Sequence, residues 1–307
     1  MEFFTTAAGI SVHVWDTGNT GASPAADAAS YTGAQPQTPQ TVKQGETNSV
    51  MPGLTGHLRP CVFLLHGYLE TMYVFNELVD ALKTRYRVIV IDMPGHGLTD
   101  SAPADASGQR VNSLAFCASV VAGVMAKCGV EKVILAGHSM GGYVTLQFLH
   151  DYPQLVEKAI LLSSHPFPDA PEKAADRAEE KKCIAAGKLS TLAALSIPRM
   201  YHEENLRACD EKIRETVELC ETHDPEGIIS SIEGLRTRPD LQPVMQQPPV
   251  PLLLIHGDHD NFQPLEMVEK LKTLFPKVTY QLISDTGHNA FIERQDAVVD
   301  AMVSFIG

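Results

Sequence analysis

Residues 134–142 read "ILAGHSMGG": four small or apolar residues, then a serine flanked two positions away on each side by glycine. The stretch before Ser139 reads as a buried strand, and residues 140–151 continue with helical spacing. Gly137-His138-Ser139-Met140-Gly141 therefore fits G-x-S-x-G in the strand-to-helix setting that gives this pattern meaning. A strand that runs straight into a helix needs a tight turn with a strained central residue. Side chains at the flanking positions would collide there, so Gly137 and Gly141 supply the room. Such a turn lifts the Ser139 hydroxyl above the carboxyl edge of the sheet, where open α/β sheets bind ligands. It also sets Ser139 at a helix N-terminus, whose free N–H groups favour negative charge.

Working outward, "ISVHVWD" (10–16) alternates with period two and reads as a half-exposed strand. "CVFLLH" from Cys61, "YRVIVID" (86–92), residues 132–136, "KAILLS" (158–163), 251–256 and 278–283 are apolar runs of strand length. Segments of helical period lie between or after them, at 73–83, 112–128, 140–151, 265–274 and 289–305. Apolar strands alternating with amphipathic helices predict a mostly parallel, doubly wound α/β sheet covered on both faces. The alternation breaks at 165–245, where "AADRAEEKKC" and "ENLRACDEKIRETVELC" have helical spacing and high charge. This segment is expected to be a helical cap inserted into a body made of 1–164 and 246–307. Residues 18–57, rich in Gly, Ala, Thr, Gln, Pro and Asn, read as a surface-loop insertion.

The chain has 307 residues and 44% hydrophobic composition, enough for a sizeable core. Its 24 basic against 37 acidic residues give a net charge of −13, which argues against nucleic acid or an anionic membrane as partner. No stretch approaches the roughly 18 apolar residues of a membrane span. The opening "MEFFTTAAGISVHVWDTG" lacks a basic segment and a long apolar run, so no secretory signal is expected. Six cysteines, scattered and without a CxxC pair, read as reduced thiols of a cytoplasmic protein.

Five motifs now stand in one order: "HGY" (66–68), "DMPGHG" (92–97), "GHSMGG" (137–142), "GDHD" (257–260) and "TGHNAF" (286–291). In this the chain resembles the α/β-hydrolase superfamily, from Ile10 to its end apart from 18–57. The resemblance implies a capped serine esterase whose triad follows the chain order Ser, acid, His. Ser139 is the expected nucleophile and His288, in the loop after the last strand, the expected base. Family placement selects Asp260 as the acid over Asp258, read as a loop residue capping backbone N–H groups; Asp169 is the next candidate should neither serve. The oxyanion donors would be the N–H of Met140, next to the nucleophile, and that of Tyr68, by family resemblance. The Tyr68 ring either lines the pocket or packs.

His66, His96, His138 and Asp92 are expected to be structural. His256, Asp258, His259 and Asp260 could suggest a metal site, but the resemblance gives them to the acid loop, and neither metal nor cofactor is expected. Leu195, Met200 and Tyr201 in the most apolar part of the cap are candidates for the substrate pocket, and Arg199 for recognising a carboxylate or phosphate. The expected substrate is a small-molecule ester. A carbon–carbon bond hydrolase or another acyl hydrolase on the same triad is the alternative within enzymes, and a small-ligand receptor the alternative outside them.

Overall fold

The computed structural model describes residues 1–18 and 59–307, so the insertion assigned to 18–57 lies, apart from Gly18, outside the described residues. An eight-stranded sheet runs in the order β1-β2-β4-β3-β5-β6-β7-β8. Its strands are β1 (Glu2–Ala7), β2 (Ile10–Asp16), β3 (Cys61–Leu65), β4 (Arg87–Ile91), β5 (Val133–His138), β6 (Val156–Leu162), β7 (Leu252–Gly257) and β8 (Thr279–Ile283). β1 pairs antiparallel with β2 and β2 with β4; every other pair is parallel.

The apolar runs are continuous because both faces of the inner strands are buried. In β3, Phe63 and Leu65 pack against α2 (Leu114–Lys127) and α3 (Met140–Asp151). Val62 and Leu64 point the other way, into the layer that also holds α1 (Asn76–Leu82), α10 (Ala290–Glu293) and α11 (Gln295–Ile306). Each such side chain contributes about 1.5–3 kcal/mol of burial free energy, which fixes the strand between two helix layers.

Two details differ from the sequence expectation. β1 forms a hairpin with β2 through Ala8 and Gly9, both at positive φ (48° and 82°). This is the turn geometry of a two-residue hairpin, but Ala-Gly lacks the Asn-Gly or Asp-Gly signature that would announce it. The final helix, expected unbroken over 289–305, is split at Arg294 into α10 and α11.

Between β6 and β7 the chain is helical: α4 (Pro171–Ala185), α5 (Leu189–Ser196), α6 (Asp210–Glu221), α7 (Pro225–Arg236) and α8 (Gln242–Gln246). Ile184, Ala193, Ile197, Ile213, Ile228 and Ile232 make an apolar cluster of their own, which closes over Leu69 of the body. Leu241, Val244 and Met245 instead join the main core, so α8 packs with the body. α9 (Leu265–Leu274) follows β7. The loops leaving β3, β5, β7 and β8 all emerge at the carboxyl edge of the sheet, beneath the inserted helices.

Candidate active site

Ser139 joins β5 to α3 with φ 49° and ψ −110°, a backbone conformation that a side chain resists. Packing compels it. A Cβ on Gly137 would sit 2.2 Å from the Gly141 carbonyl oxygen, and one on Gly141 2.2 Å from that of Leu65. The Ser139 N–H donates to the Leu162 carbonyl (2.9 Å), tying the turn to β6.

His288 and Asp260 meet across two loops: Nδ1 of His288 lies 2.7 Å from Oδ2 of Asp260, and both side chains are buried. The other carboxylate oxygen, Oδ1, accepts the N–H of Phe262 (2.7 Å) and of Gln263 (2.9 Å), which fixes its direction. Burial pushes the imidazole pKa down, but the charge and hydrogen bond of Asp260 outweigh it and hold His288 above the ordinary histidine value. For Asp260, burial pushes upward, and His288 with the two backbone donors carries it below the usual carboxylate range. Ser139 and His288 line one cavity, and no hydrogen bond joins the Ser139 hydroxyl to the ring among the described residues.

Asp258 is turned outward, with His259 Nδ1 at 2.7 Å and the Thr286 N–H at 3.3 Å. Asp169 is held by Arg177 and Arg238, so neither alternative acid reaches His288. The His256, Asp258, His259 and Asp260 side chains do not converge: His256 is buried, Asp258 and His259 pair at the surface, and Asp260 faces His288.

The loop after β3 has no acceptor for the N–H of Tyr68 among the described residues, and the N–H of Met140 at the start of α3 has none either. Leu69, at φ 67°, bends this loop back. Its anchor is Glu70, which sequence reasoning missed: a buried carboxylate whose Oε2 accepts the Gly67 N–H (2.7 Å) and faces His138 Nδ1 (2.9 Å). Burial alone would raise its pKa; the positive potential and hydrogen bond of His138 reverse this and lower it. The one signal in the sequence was a carboxylate three residues past Gly67 within an otherwise apolar loop.

Glu293 performs a related task near His288. It accepts the Gly287 N–H (2.8 Å) and, from the inserted helices' connecting segment, the His202 N–H (2.9 Å) and Asn205 Nδ2 (2.7 Å).

The residues expected to be structural behave so. His66 donates from Nδ1 to the Gly67 carbonyl and accepts the Met93 N–H at Nε2, each at 2.8 Å. His96 accepts the Leu69 N–H (3.4 Å). Asp92 receives His13 Nδ1 (2.8 Å) and the N–H groups of Met72 (2.9 Å) and Leu98 (3.1 Å).

The cavity above Ser139 has a volume of about 670 Å³, within the range of small-molecule sites. Met200 lines it and is 7% exposed; Leu195 stands at its mouth, 66% exposed. Tyr201 does not line it: the ring is buried with Leu69 and Ile197, because the chain turns at the short 3-10 helix Pro198–Met200 and successive side chains there project in different directions. Arg199 lies at the rim, its guanidinium 5.7 Å from the Phe262 ring centre. The Tyr68 ring is on the cavity wall. The expected apolar lining is interrupted by charge, with Asp169, Arg177, Glu180 and Arg238 on the wall.

A family model described as alpha/beta hydrolase fold matches residues 60–295. The chain is 24% identical over 260 residues to the uncharacterized hydrolase YugF of Bacillus subtilis (strain 168), covering 81% of this chain and 90% of that protein. It is 26% identical over 267 residues to a 2-hydroxy-6-oxononadienedioate/2-hydroxy-6-oxononatrienedioate hydrolase of Paraburkholderia phymatum, covering 82% and 89%. Among solved structures, a thermophilic esterase from Thermogutta terrifontis superposes with a TM-score of 0.80 at 23% identity, covering 100% of this chain and 98% of that one.

Proposed function

This chain belongs to the α/β-hydrolase fold family, and from that premise we propose that it is a serine hydrolase cleaving small-molecule carboxylic esters through an acyl-serine. One observation carries the proposal: a strained serine shares a cavity with a buried histidine that is itself held by a buried carboxylate at 2.7 Å. The Ser139 oxygen attacks the ester carbonyl and passes its proton to Nε2 of His288, while Asp260 holds Nδ1–H and stabilises the imidazolium. The N–H groups of Tyr68 and Met140 receive the oxyanion. Collapse expels the alcohol, which takes the proton back from His288. Water then enters by the same route and frees the acid. The inserted helices act as a cap that selects the acyl group. Six free cysteines suit a reducing compartment, so a cytoplasmic location accompanies this reading.

The Paraburkholderia relative's name favours a second reading, carbon–carbon bond hydrolysis on the same triad. A panel of p-nitrophenyl esters of rising chain length, set beside a vinylogous diketone, separates the two. A fluorophosphonate should label Ser139 alone, and Ser139→Ala should abolish labelling and turnover in a folded protein. Labelling that persisted in the alanine variant would overturn the nucleophile.

A further inference from the structure

The cavity that holds Ser139 carries two buried arginines on its wall. Arg177 of α4 and Arg238 just beyond α7 have side-chain exposures of 8% and 3%, and both bond the carboxylate of Asp169, itself 2% exposed. Arg238 is further fixed by the carbonyls of Phe167 (3.0 Å) and Leu235 (3.2 Å), and its guanidinium lies 4.3 Å from the Tyr143 ring centre. Beside it His165, which burial drives down to about 3, stays neutral and faces the Tyr143 hydroxyl at 3.3 Å. Tyr143, His165, Asp169, Arg177 and Arg238 all line the cavity that holds Ser139 and His288.

Two guanidiniums thus share one carboxylate. Arg177 Nη1 and Arg238 Nη2 have no acceptor among the described residues. The buried Tyr68 hydroxyl, on the same wall, has no partner either. Glu180 opposes this positive charge, with Oε2 buried and unpartnered, while half-buried Lys173 adds to it. Asp176, Glu179 and Arg199 are exposed at the rim, where water screens them. Counting only wall residues that are not exposed, Lys173, Arg177 and Arg238 exceed Asp169 and Glu180 by one positive charge.

We propose that this wall is an anion-binding subsite, and that the substrate is an ester carrying a second, free carboxylate. The inference rests on the serine-hydrolase reading above. Guanidinium groups present paired N–H donors that match both oxygens of a carboxylate, and here they are ordered before any ligand arrives. An anionic ligand supplies the acceptor that the Arg177 and Arg238 termini and the Tyr68 hydroxyl lack. The same contact holds the ester group at a fixed reach from Ser139. The reaction is unchanged: the ester bond is hydrolysed, and the product is a dicarboxylic acid or a carboxylate-bearing alcohol.

The experiment compares the mono-p-nitrophenyl ester of glutaric acid with p-nitrophenyl pentanoate, which has the same acyl length but no charge. The wild type should favour the charged ester by about tenfold or more in kcat/KM. Glutarate, but not glutaramide, should inhibit hydrolysis of the neutral ester competitively. Arg177→Gln should pull the charged-to-neutral ratio towards unity, and Arg177→Lys should restore part of it. Turnover of the neutral ester with no preference for the charged one, and no inhibition by glutarate, would sink the subsite while leaving the hydrolase reading intact. A ratio unchanged in Arg177→Gln, with both activities and thermal stability falling together, would make the cluster a structural brace and equally overturn it. Failure on both esters, without fluorophosphonate labelling of Ser139, would refute the hydrolase reading and this inference with it.

Discussion

Glu70 Oε2 stands 2.9 Å from Nδ1 of His138, so a buried carboxylate in the loop after β3 grips the residue that precedes Ser139. The other ring nitrogen of His138 faces the His288 carbonyl oxygen at 3.3 Å. Both neighbours are acceptors, so a neutral ring satisfies only one of them. Glu70 also accepts the Gly67 N–H and, at 3.3 Å, Asn289 Nδ2, so one side chain braces the loops that carry Ser139, the Tyr68 N–H and His288. Glu70→Gln keeps the shape and removes the charge. The variant should lose about ten- to a hundredfold in kcat with a smaller change in KM, because the donors shift relative to the transition state. The Glu70 charge is among the causes that raise the His288 pKa, so the acid limb of the residual activity should move to lower pH. A fall in melting temperature with an unchanged pH profile and kcat would reduce Glu70 to a structural role.

The acid can be identified by paired substitutions. Asp260→Asn should cost about a thousandfold or more in turnover, since the imidazolium loses its counter-charge and its fixed orientation. Asp258→Asn should keep most activity, because that carboxylate bonds His259 and a backbone N–H at the surface. The wild-type acid limb should lie above the ordinary histidine value of about 6.5, because Asp260 raises the His288 pKa and only the neutral ring accepts the serine proton. In Asp260→Asn the raising charge is gone, so the limb of the residual activity should fall towards lower pH. An inactive Asp258→Asn beside an active Asp260→Asn would transfer the role.

Much of this was legible in the chain because backbone constraints leave marks on sequence. Continuous apolar runs such as "CVFLLH", alternating with amphipathic helices, indicated strands buried on both faces, and the glycines at 137 and 141 marked a turn with no space for Cβ. The pairing of His288 with Asp260 followed from the family's placement of the acid three residues after the strand-ending Gly257. Long-range polar packing left no such mark. Glu70 reaches His138 across 68 residues and Asp169 reaches Arg238 across 69, distances over which residue spacing carries no signal. Tyr201 is a pocket candidate in the sequence because it lies in the most apolar stretch of the cap. Neighbours at a 3-10 turn face different directions, and only the fold decides which one meets the cavity.

The elbow glycines give a steric test. An alanine at 141 would place a methyl 2.2 Å from a backbone oxygen of β3, which cannot move without disturbing the central sheet. Gly141→Ala should therefore express poorly or melt well below the wild type. Gly187→Ala is the control: that glycine has open space around it but a φ of 75°, so only a modest loss of about 1 kcal/mol is expected. Equal melting temperatures for the two variants would show that the turn is less tightly packed than its geometry implies.

The cap residues should separate binding from packing. Leu195 is exposed at the cavity mouth, so Leu195→Ala should alter the preferred acyl length with little change in melting temperature. Met200 both lines the cavity and belongs to the buried cluster of the inserted helices, with Ile197 and Tyr201 beside it. Met200→Ala leaves a void in that cluster and should cost about 2–5 kcal/mol of stability as well as shifting specificity. Its backbone carbonyl accepts the Asn289 N–H at 2.9 Å, immediately after His288, so movement of this turn reaches the base directly. Met200→Ala should thus depress kcat for a short ester that never touches the side chain, whereas Leu195→Ala should not. Chemical denaturation and ester-panel kinetics on the two variants would check this. Identical effects of both substitutions on stability and on every ester would mean that the cap responds as one body and that neither residue selects the acyl group.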